Sequence, residues 1–146
     1  MQVHRLFLDT SILFSVAQAN SGLSLLYRLA ESGKCLLFAS RYVIEKAKRN
    51  LRGFEQTERL HGFLSKVNLV LEVDDRMECP VSLPQNVKAV LMAAMLAKMD
   101  YLLTGDNEHF GQYQGQTLMG VRIMGARDYL QISYAETDSS KPESIR

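Results

Sequence analysis

Three acidic residues, Asp9, Glu45 and Asp106, each follow a segment that the sequence predicts to be a strand. Asp9 follows the apolar residues Leu6-Phe7-Leu8, the end of a predicted strand over 3–8, and Asp106 comes just after the apolar run 101–103. Glu45 lies in the first turns of a helix that follows the run 35–39. Open α/β sheets carry their chemistry just beyond the carboxyl ends of their parallel strands. We therefore expect these three carboxylates to meet at one edge of a sheet.

Such a cluster of carboxylates implies a bound cation, because each charge raises the pKa of its neighbours unless a cation compensates. Mg²⁺ and Mn²⁺ prefer oxygen ligands, and an ion held in this way can activate water and stabilise charge on a phosphoryl group. The three histidines, His4, His61 and His109, are scattered along the sequence and suggest no zinc site. The sequence contains no glycine-rich phosphate loop and no Gly-x-Ser-x-Gly elbow, which argues against nucleotide triphosphatases and serine hydrolases.

Each acid also has an ordinary structural interpretation. Asp9 could cap the helix that follows it, and Asp106 could end its strand in a turn. Glu45 precedes Lys48 by three residues and Arg49 by four, a spacing that forms ion pairs on helix surfaces. For Glu45, spacing alone supports such ion pairs at least as well as metal binding.

The segments around these acids alternate between strand and helix. Segments rich in apolar residues predict strands at 3–8, 35–39, 69–73, 101–103 and 121–124, and 35–39 is a continuous apolar run of the kind found in buried parallel strands. Apolar positions at helical spacing predict helices after Asp9 and at 23–32, 41–51, 54–66 and 85–99, with a short last helix near Asp128. This order predicts a three-layer α/β/α fold around a parallel sheet of four to five strands. We expect one domain over 1–134 and a disordered polar tail over 135–146.

Composition limits the partners and the compartment. The formal net charge of +1 gives no global attraction to nucleic acid or membrane, so such binding would need a local patch. The two cysteines suggest neither a disulfide framework nor a metal finger, and Cys35 in an apolar run suggests a core thiol in the reducing cytosol. No signal peptide is predicted, and no apolar run approaches the roughly 20 residues that span a bilayer. These features predict a cytoplasmic protein.

Several motifs resemble those of PIN domains, a metal-dependent ribonuclease fold used by many toxins of bacterial and archaeal toxin–antitoxin pairs. The resemblance covers roughly residues 3–132, and its most specific part is the Thr-Gly-Asp stretch with the residues before it. The matching segments are Phe7-Leu8-Asp9-Thr10-Ser11, Ser40-x-x-x-x-Glu45, Ala93-Ala94, Asp100-Tyr101-Leu102-Leu103-Thr104-Gly105-Asp106, His109-Phe110-Gly111 and Val121-Arg122-Ile123-Met124.

The resemblance implies a function and assigns roles to individual residues. Asp9, Glu45 and Asp106 match the first, second and late acids of the family, and Ser11 and Thr104 match positions that support them. The family implies one or two Mg²⁺ or Mn²⁺ ions and attack by water on an RNA phosphodiester. It also implies an antitoxin protein as partner and a homodimer.

The sequence departs from the family at one acidic position. PIN domains usually carry another acid at the start of the helix before Ala-Ala, and Val87 stands there in this chain. Asn86, one position away, offers only a neutral carbonyl oxygen, and Asn107 and Glu108 could compensate in part. The loss of a carboxylate should weaken divalent binding. The sequence is therefore compatible with a weak nuclease, with a single-metal nuclease, or with a degenerate PIN domain that binds RNA or protein without cleaving.

A basic run lies on the helix that carries Glu45. It consists of Arg41, Lys46, Lys48, Arg49 and Arg52. Such a run is usually a solvated face, but a near-neutral protein that cuts RNA needs a local patch for phosphates. Arg41, Lys48, Arg49 and Arg52 are therefore predicted RNA contacts.

Overall fold

A computed structural model describes residues 3–19, 21–71, 79 and 81–139. The strands are β1 (His4–Leu8), β2 (Cys35–Ser40), β3 (Val67–Val70), β4 (Tyr101–Leu103), β5 (Thr117–Leu118) and β6 (Val121–Met124). The helices are α1 (Thr10–Ala17), α2 (Ser24–Glu31), α3 (Arg41–Arg49), α4 (Gly53–Leu64), α5 (Gln85–Leu96), α6 (Asn107–Phe110) and α7 (Ala126–Ser139). Short 3₁₀ turns occupy Ser21–Leu23 and Gly111–Tyr113.

The strands form one sheet in the order β3-β2-β1-β4-β6-β5. β1 pairs in parallel with β2 on one side and with β4 on the other, and β6 continues the parallel arrangement next to β4. This confirms the predicted α/β fold with a central, mostly parallel sheet, compatible with three α/β/α layers. β5 was not predicted, because two residues are too few to give a strand pattern; it pairs antiparallel with β6 at the sheet edge.

Several element boundaries differ from the prediction. β3 spans Val67–Val70 instead of 69–73, and α5 ends at Leu96 instead of continuing to 99. Lys98, with a φ of 59°, reverses the chain before β4. The last helix, α7, continues to Ser139, past the predicted domain end at 134. The rest of the predicted disordered tail, 140–146, lies outside the described residues.

The core is built around β1, whose residues Leu6, Phe7 and Leu8 are fully buried. This is the burial expected of a parallel strand covered on both faces. Cys35, on the neighbouring strand, is buried, and burial raises the pKa of its thiol to about 11. It therefore behaves as a core residue, and both cysteines are free. Within the described part of the chain, no helix is long and apolar enough to cross a membrane.

Candidate active site

Asp9 lies at the carboxyl end of the central strand and is held from both sides. Its backbone N–H donates to the Leu103 carbonyl at 3.0 Å, which extends the pairing of β1 with β4 by one residue. Its Oδ1 accepts from the Thr10 backbone N–H at 2.8 Å and its Oδ2 from the Thr104 hydroxyl at 2.6 Å. Asp9 is therefore both the cap of α1, as the alternative interpretation held, and a fixed acid at the strand end.

The ionisation of Asp9 is incompletely compensated. Burial, the largest effect, raises the pKa of Asp9, and the negative charge of Asp106 also raises it. The hydrogen bonds from Thr104 and Thr10 and the positive charge of Lys46 lower that pKa, but the net shift is upward. An added cation would favour the ionised form of this carboxyl group.

Thr104 joins Asp9 to Asp106. Its buried hydroxyl donates to Asp9 and accepts from the Asp106 backbone N–H at 3.0 Å. Ser11 makes a second link, because its hydroxyl accepts from the Gly105 backbone N–H at 2.8 Å. Ser11 and Thr104, predicted to support the site, thus tie the loop after β4 to the start of α1.

Asp106 is bonded to His109, one turn ahead on α6. The His109 backbone N–H donates to Asp106 Oδ1 at 3.1 Å, and His109 Nδ1 lies 2.8 Å from Asp106 Oδ2. Partial burial, the largest single effect, would raise the pKa of Asp106, but the hydrogen bonds and charge of His109 outweigh it and lower that pKa. The hydrogen bond with Asp106 in turn raises the pKa of His109. Asp106 is therefore an ionised, partly exposed acid beside the buried Asp9.

A pocket of about 570 Å³ opens over these two acids. Its walls combine carboxylates, cations, amides and apolar side chains. The lining residues are Asp9, Thr10, Ser11, Phe14, Tyr42, Lys46, Asn50, Arg52, Asn86, Val87, Val90, Asp106 and Phe110.

The structure brings Asp9 and Asp106 together but does not bring Glu45 to them. Glu45 is exposed on α3 and does not line the pocket. The described ranges contain no group of three or more His, Cys, Asp or Glu side chains arranged to hold a metal ion. Val87, the position where the resemblance to PIN domains leads us to expect an acid, lines the pocket with 8% of its surface exposed.

α3 turns a different face to the pocket from the one that the sequence suggested. Ser40 caps this helix, since its hydroxyl accepts from the Val43 backbone N–H at 3.4 Å. Burial of Val43 and Ala47 fixes the rotation of the helix, and Tyr42, Lys46 and Asn50 then line the pocket. Sequence reasoning missed Tyr42 and Asn50 and named Lys46 only as a member of the basic run, although the spacing of four between these residues marks a single helix face.

The predicted basic contacts separate into two groups. Arg52 lines the pocket, whereas Arg41, Lys48 and Arg49 are exposed on α3 and do not line it.

The residues present fit a single hard divalent ion. Asp9 and Asp106 supply carboxylate oxygens, and Asn86 adds an amide at the same pocket. Mg²⁺ is commonly held by one or two carboxylates while it keeps several waters. The incompletely compensated charge of the buried Asp9 is the specific feature that a cation would complete. Asp9 and Asp106 would hold this ion.

Comparisons with known proteins support the fold. No protein-family model and no curated protein matches this chain. Among solved structures, the chain is similar to the crystal structure of PAE2754 from Pyrobaculum aerophilum, with a TM-score of 0.53 and 15% sequence identity. The match covers 92% of this chain and 99% of that one, so the two share their architecture over almost the whole length.

Proposed function

We propose that this protein is a PIN-like endoribonuclease that hydrolyses RNA phosphodiester bonds with Mg²⁺ or Mn²⁺ held by Asp9 and Asp106. One observation carries the proposal. Asp9 is a buried acid with incomplete charge compensation, linked through Thr104 to Asp106, and both acids line the same open pocket. Burial of a charge is costly unless a partner or a metal compensates, which supports the proposal that a cation binds here.

Three residues of the chain have different roles in the proposed site. Asp9 is the fixed ligand, since two hydrogen bonds set its orientation. Asp106, whose pKa is lowered, is the second and more exposed ligand. The bound ion would supply activation of water and stabilisation of charge on the phosphoryl group. Arg52, at the same pocket, would attract the RNA backbone in a salt-sensitive way.

A second function is favoured by the composition of the pocket wall. Val87 offers no ligand where the family has an acid, and Glu45 lies outside the pocket. A site with only two carboxylates could bind RNA or a protein without cutting it. This degenerate PIN domain is the alternative to the nuclease.

The biological setting is a further part of the proposal. The cysteine usage and the lack of a predicted signal peptide suggest the cytoplasm. The resemblance to PIN domains suggests the toxin of a toxin–antitoxin pair, with an antitoxin protein as partner and a homodimer as the assembly. Co-purification with the product of a small adjacent gene tests the antitoxin, and light scattering on the purified protein tests the dimer.

The test of the nuclease is cleavage of single-stranded and structured RNA in Mg²⁺, in Mn²⁺ and in EDTA. We expect cleavage only with a divalent ion, and its loss in Asp9→Asn and Asp106→Asn. Asp128→Asn is the matched control, because Asp128 is exposed and does not line this pocket. Cleavage that survives EDTA, or that persists in Asp9→Asn, would contradict metal-dependent cleavage at this site. RNA binding without cleavage in Mn²⁺ would favour the binding module.

A further inference from the structure

Lys46 is a cation beside the two acids. It follows Glu45 on α3, but it lines the pocket that Glu45 does not reach. Its positive charge lowers the pKa of Asp9 and also that of His109, the partner of Asp106. The helix therefore presents a positive charge to the site where the family resemblance implies a carboxylate.

Lys46 is near these acids without being paired to them. Its ammonium nitrogen lies 5.7 Å from the centroid of the Tyr42 ring, on the same wall of the pocket. Within the described residues, no ion pair of 4.0 Å or less joins Lys46 to an acid. Half-burial beside the ring limits the directions that the side chain can take. Because Lys46 lines the pocket, the three N–H donors of its ammonium group can serve a ligand there.

We propose that Lys46 binds a phosphate of the RNA backbone next to Asp9 and Asp106 and is thereby part of the substrate site. This inference rests on the proposed function, because it needs RNA in the pocket. An ammonium group within the pocket is a compact donor to phosphate oxygens. It would hold the substrate against two carboxylates that otherwise repel it.

The same lysine links binding of metal to binding of RNA. Without RNA, its charge opposes a divalent ion held by Asp9 and Asp106. A phosphate on Lys46 neutralises that charge, so RNA should tighten metal binding, and metal should tighten RNA binding by the same factor. Removal of the charge of a purely structural lysine would not weaken RNA binding and tighten metal binding at the same time.

The test is a pair of binding measurements on the full chain. Anisotropy of a labelled single-stranded RNA, titrated in EDTA over a range of salt, gives RNA affinity without cleavage. Calorimetric titration with Mn²⁺, in the absence of RNA, gives metal affinity. The variants are Lys46→Met, the charge-preserving Lys46→Arg, and Lys34→Met. Lys34 is an exposed lysine just before the amino end of β2, whereas the site lies at the carboxyl ends of the strands.

Lys46→Met should weaken RNA binding by about tenfold, the value of one hydrogen bond to a charged group. The slope of the logarithm of RNA affinity against the logarithm of salt concentration should become less steep by about one in this variant. The same variant should bind Mn²⁺ several-fold more tightly, whereas Lys46→Arg and Lys34→Met should stay close to wild type in both titrations. Circular dichroism verifies that each variant is folded.

The outcomes separate this inference from the proposed function. Equal RNA affinities of Lys46→Met and Lys34→Met, or weaker Mn²⁺ binding by Lys46→Met, would overturn the role of Lys46 while leaving the nuclease intact. If the wild type binds neither RNA nor Mn²⁺, the proposed function fails, and this inference fails with it.

Discussion

At the scale of single residues, opposing influences set the ionisation of Asp9 in the candidate site. Burial and Asp106 disfavour its ionised form, whereas Thr104, Thr10 and Lys46 favour it. A fold that keeps such a carboxyl group gives up stability at this position. Loss of stability is the expected cost of a site that is completed by a cation.

Asp9→Asn should stabilise the metal-free protein at neutral pH. Because burial raises the pKa of Asp9, its protonated form contributes stability below its unfolded pKa of 3.8, and this contribution is lost as pH rises through its higher folded pKa. The difference in melting temperature between Asp9→Asn and wild type, measured in EDTA, should therefore grow from acidic to neutral pH. Asp128→Asn should show no such growth. A variant that melts below wild type at neutral pH would contradict the charge balance described here.

Val87→Asp should tighten Mn²⁺ binding by about tenfold, or about 1.4 kcal/mol, because it adds a carboxylate at the pocket wall. In EDTA the variant should melt below wild type, since Val87 is buried and an uncompensated charge there is costly. Val87→Asn is the control, because asparagine has the shape of aspartate without its charge, and this variant should not gain affinity for Mn²⁺. Calorimetric titration measures the Mn²⁺ affinity of both variants. Equal affinities would exclude Val87 as the position that limits metal binding.

At the scale of elements, the ends of β1 and β4 position the site. Asp9 and Thr104–Asp106 leave adjacent strands, and the Thr104 backbone N–H donates at 3.1 Å to the carbonyl of Met124, the last residue of β6. The sequence predicted this convergence because strand order and direction decide which strand ends are neighbours. It could not predict α3, where each residue turns by about 100° about the helix axis. Only the buried contacts of Val43 and Ala47 decide whether Glu45 or Lys46 lines the pocket.

Thr104→Val should destabilise the protein by about 1–3 kcal/mol, the cost of leaving buried polar groups without partners. The Thr104 hydroxyl serves both Asp9 and the Asp106 backbone N–H, and valine keeps the shape but serves neither. Thr104→Ser retains the hydroxyl and should recover most of the loss. Urea denaturation measures the free energy of unfolding. Equal stability of the valine and serine variants would show that the hydroxyl does not hold the strand ends together.

At the scale of the molecule, the fold joins the two ends of the described chain. His4 on β1 and Tyr129 on α7 meet in the core, with His4 Nδ1 3.1 Å from the Tyr129 hydroxyl and the Tyr101 ring packed against both. The sequence predicted the sheet from its apolar runs. It did not indicate that α7 continues to Ser139, because the polar residues after 134 carry no apolar periodicity.

Tyr129→Phe should lower the free energy of unfolding by about 1–3 kcal/mol, because it leaves the buried His4 ring nitrogen without this partner. The control is Tyr134→Phe, since Tyr134 is 45% exposed and should tolerate the change. Guanidinium denaturation compares the two midpoints. If the variants have equal midpoints, the hydrogen bond between His4 on β1 and Tyr129 on α7 contributes nothing to the stability of the fold.

The central claim is that Asp9 and Asp106 hold a divalent ion, and crystals soaked in Mn²⁺ test it most directly. We predict an anomalous peak between the two carboxylates, at about 2.0–2.2 Å from their oxygens, the distance of a small hard cation. Crystals of Asp9→Asn should lose the peak. A soaked crystal with no peak beside Asp9, or with a peak only at other acids, would contradict the claim.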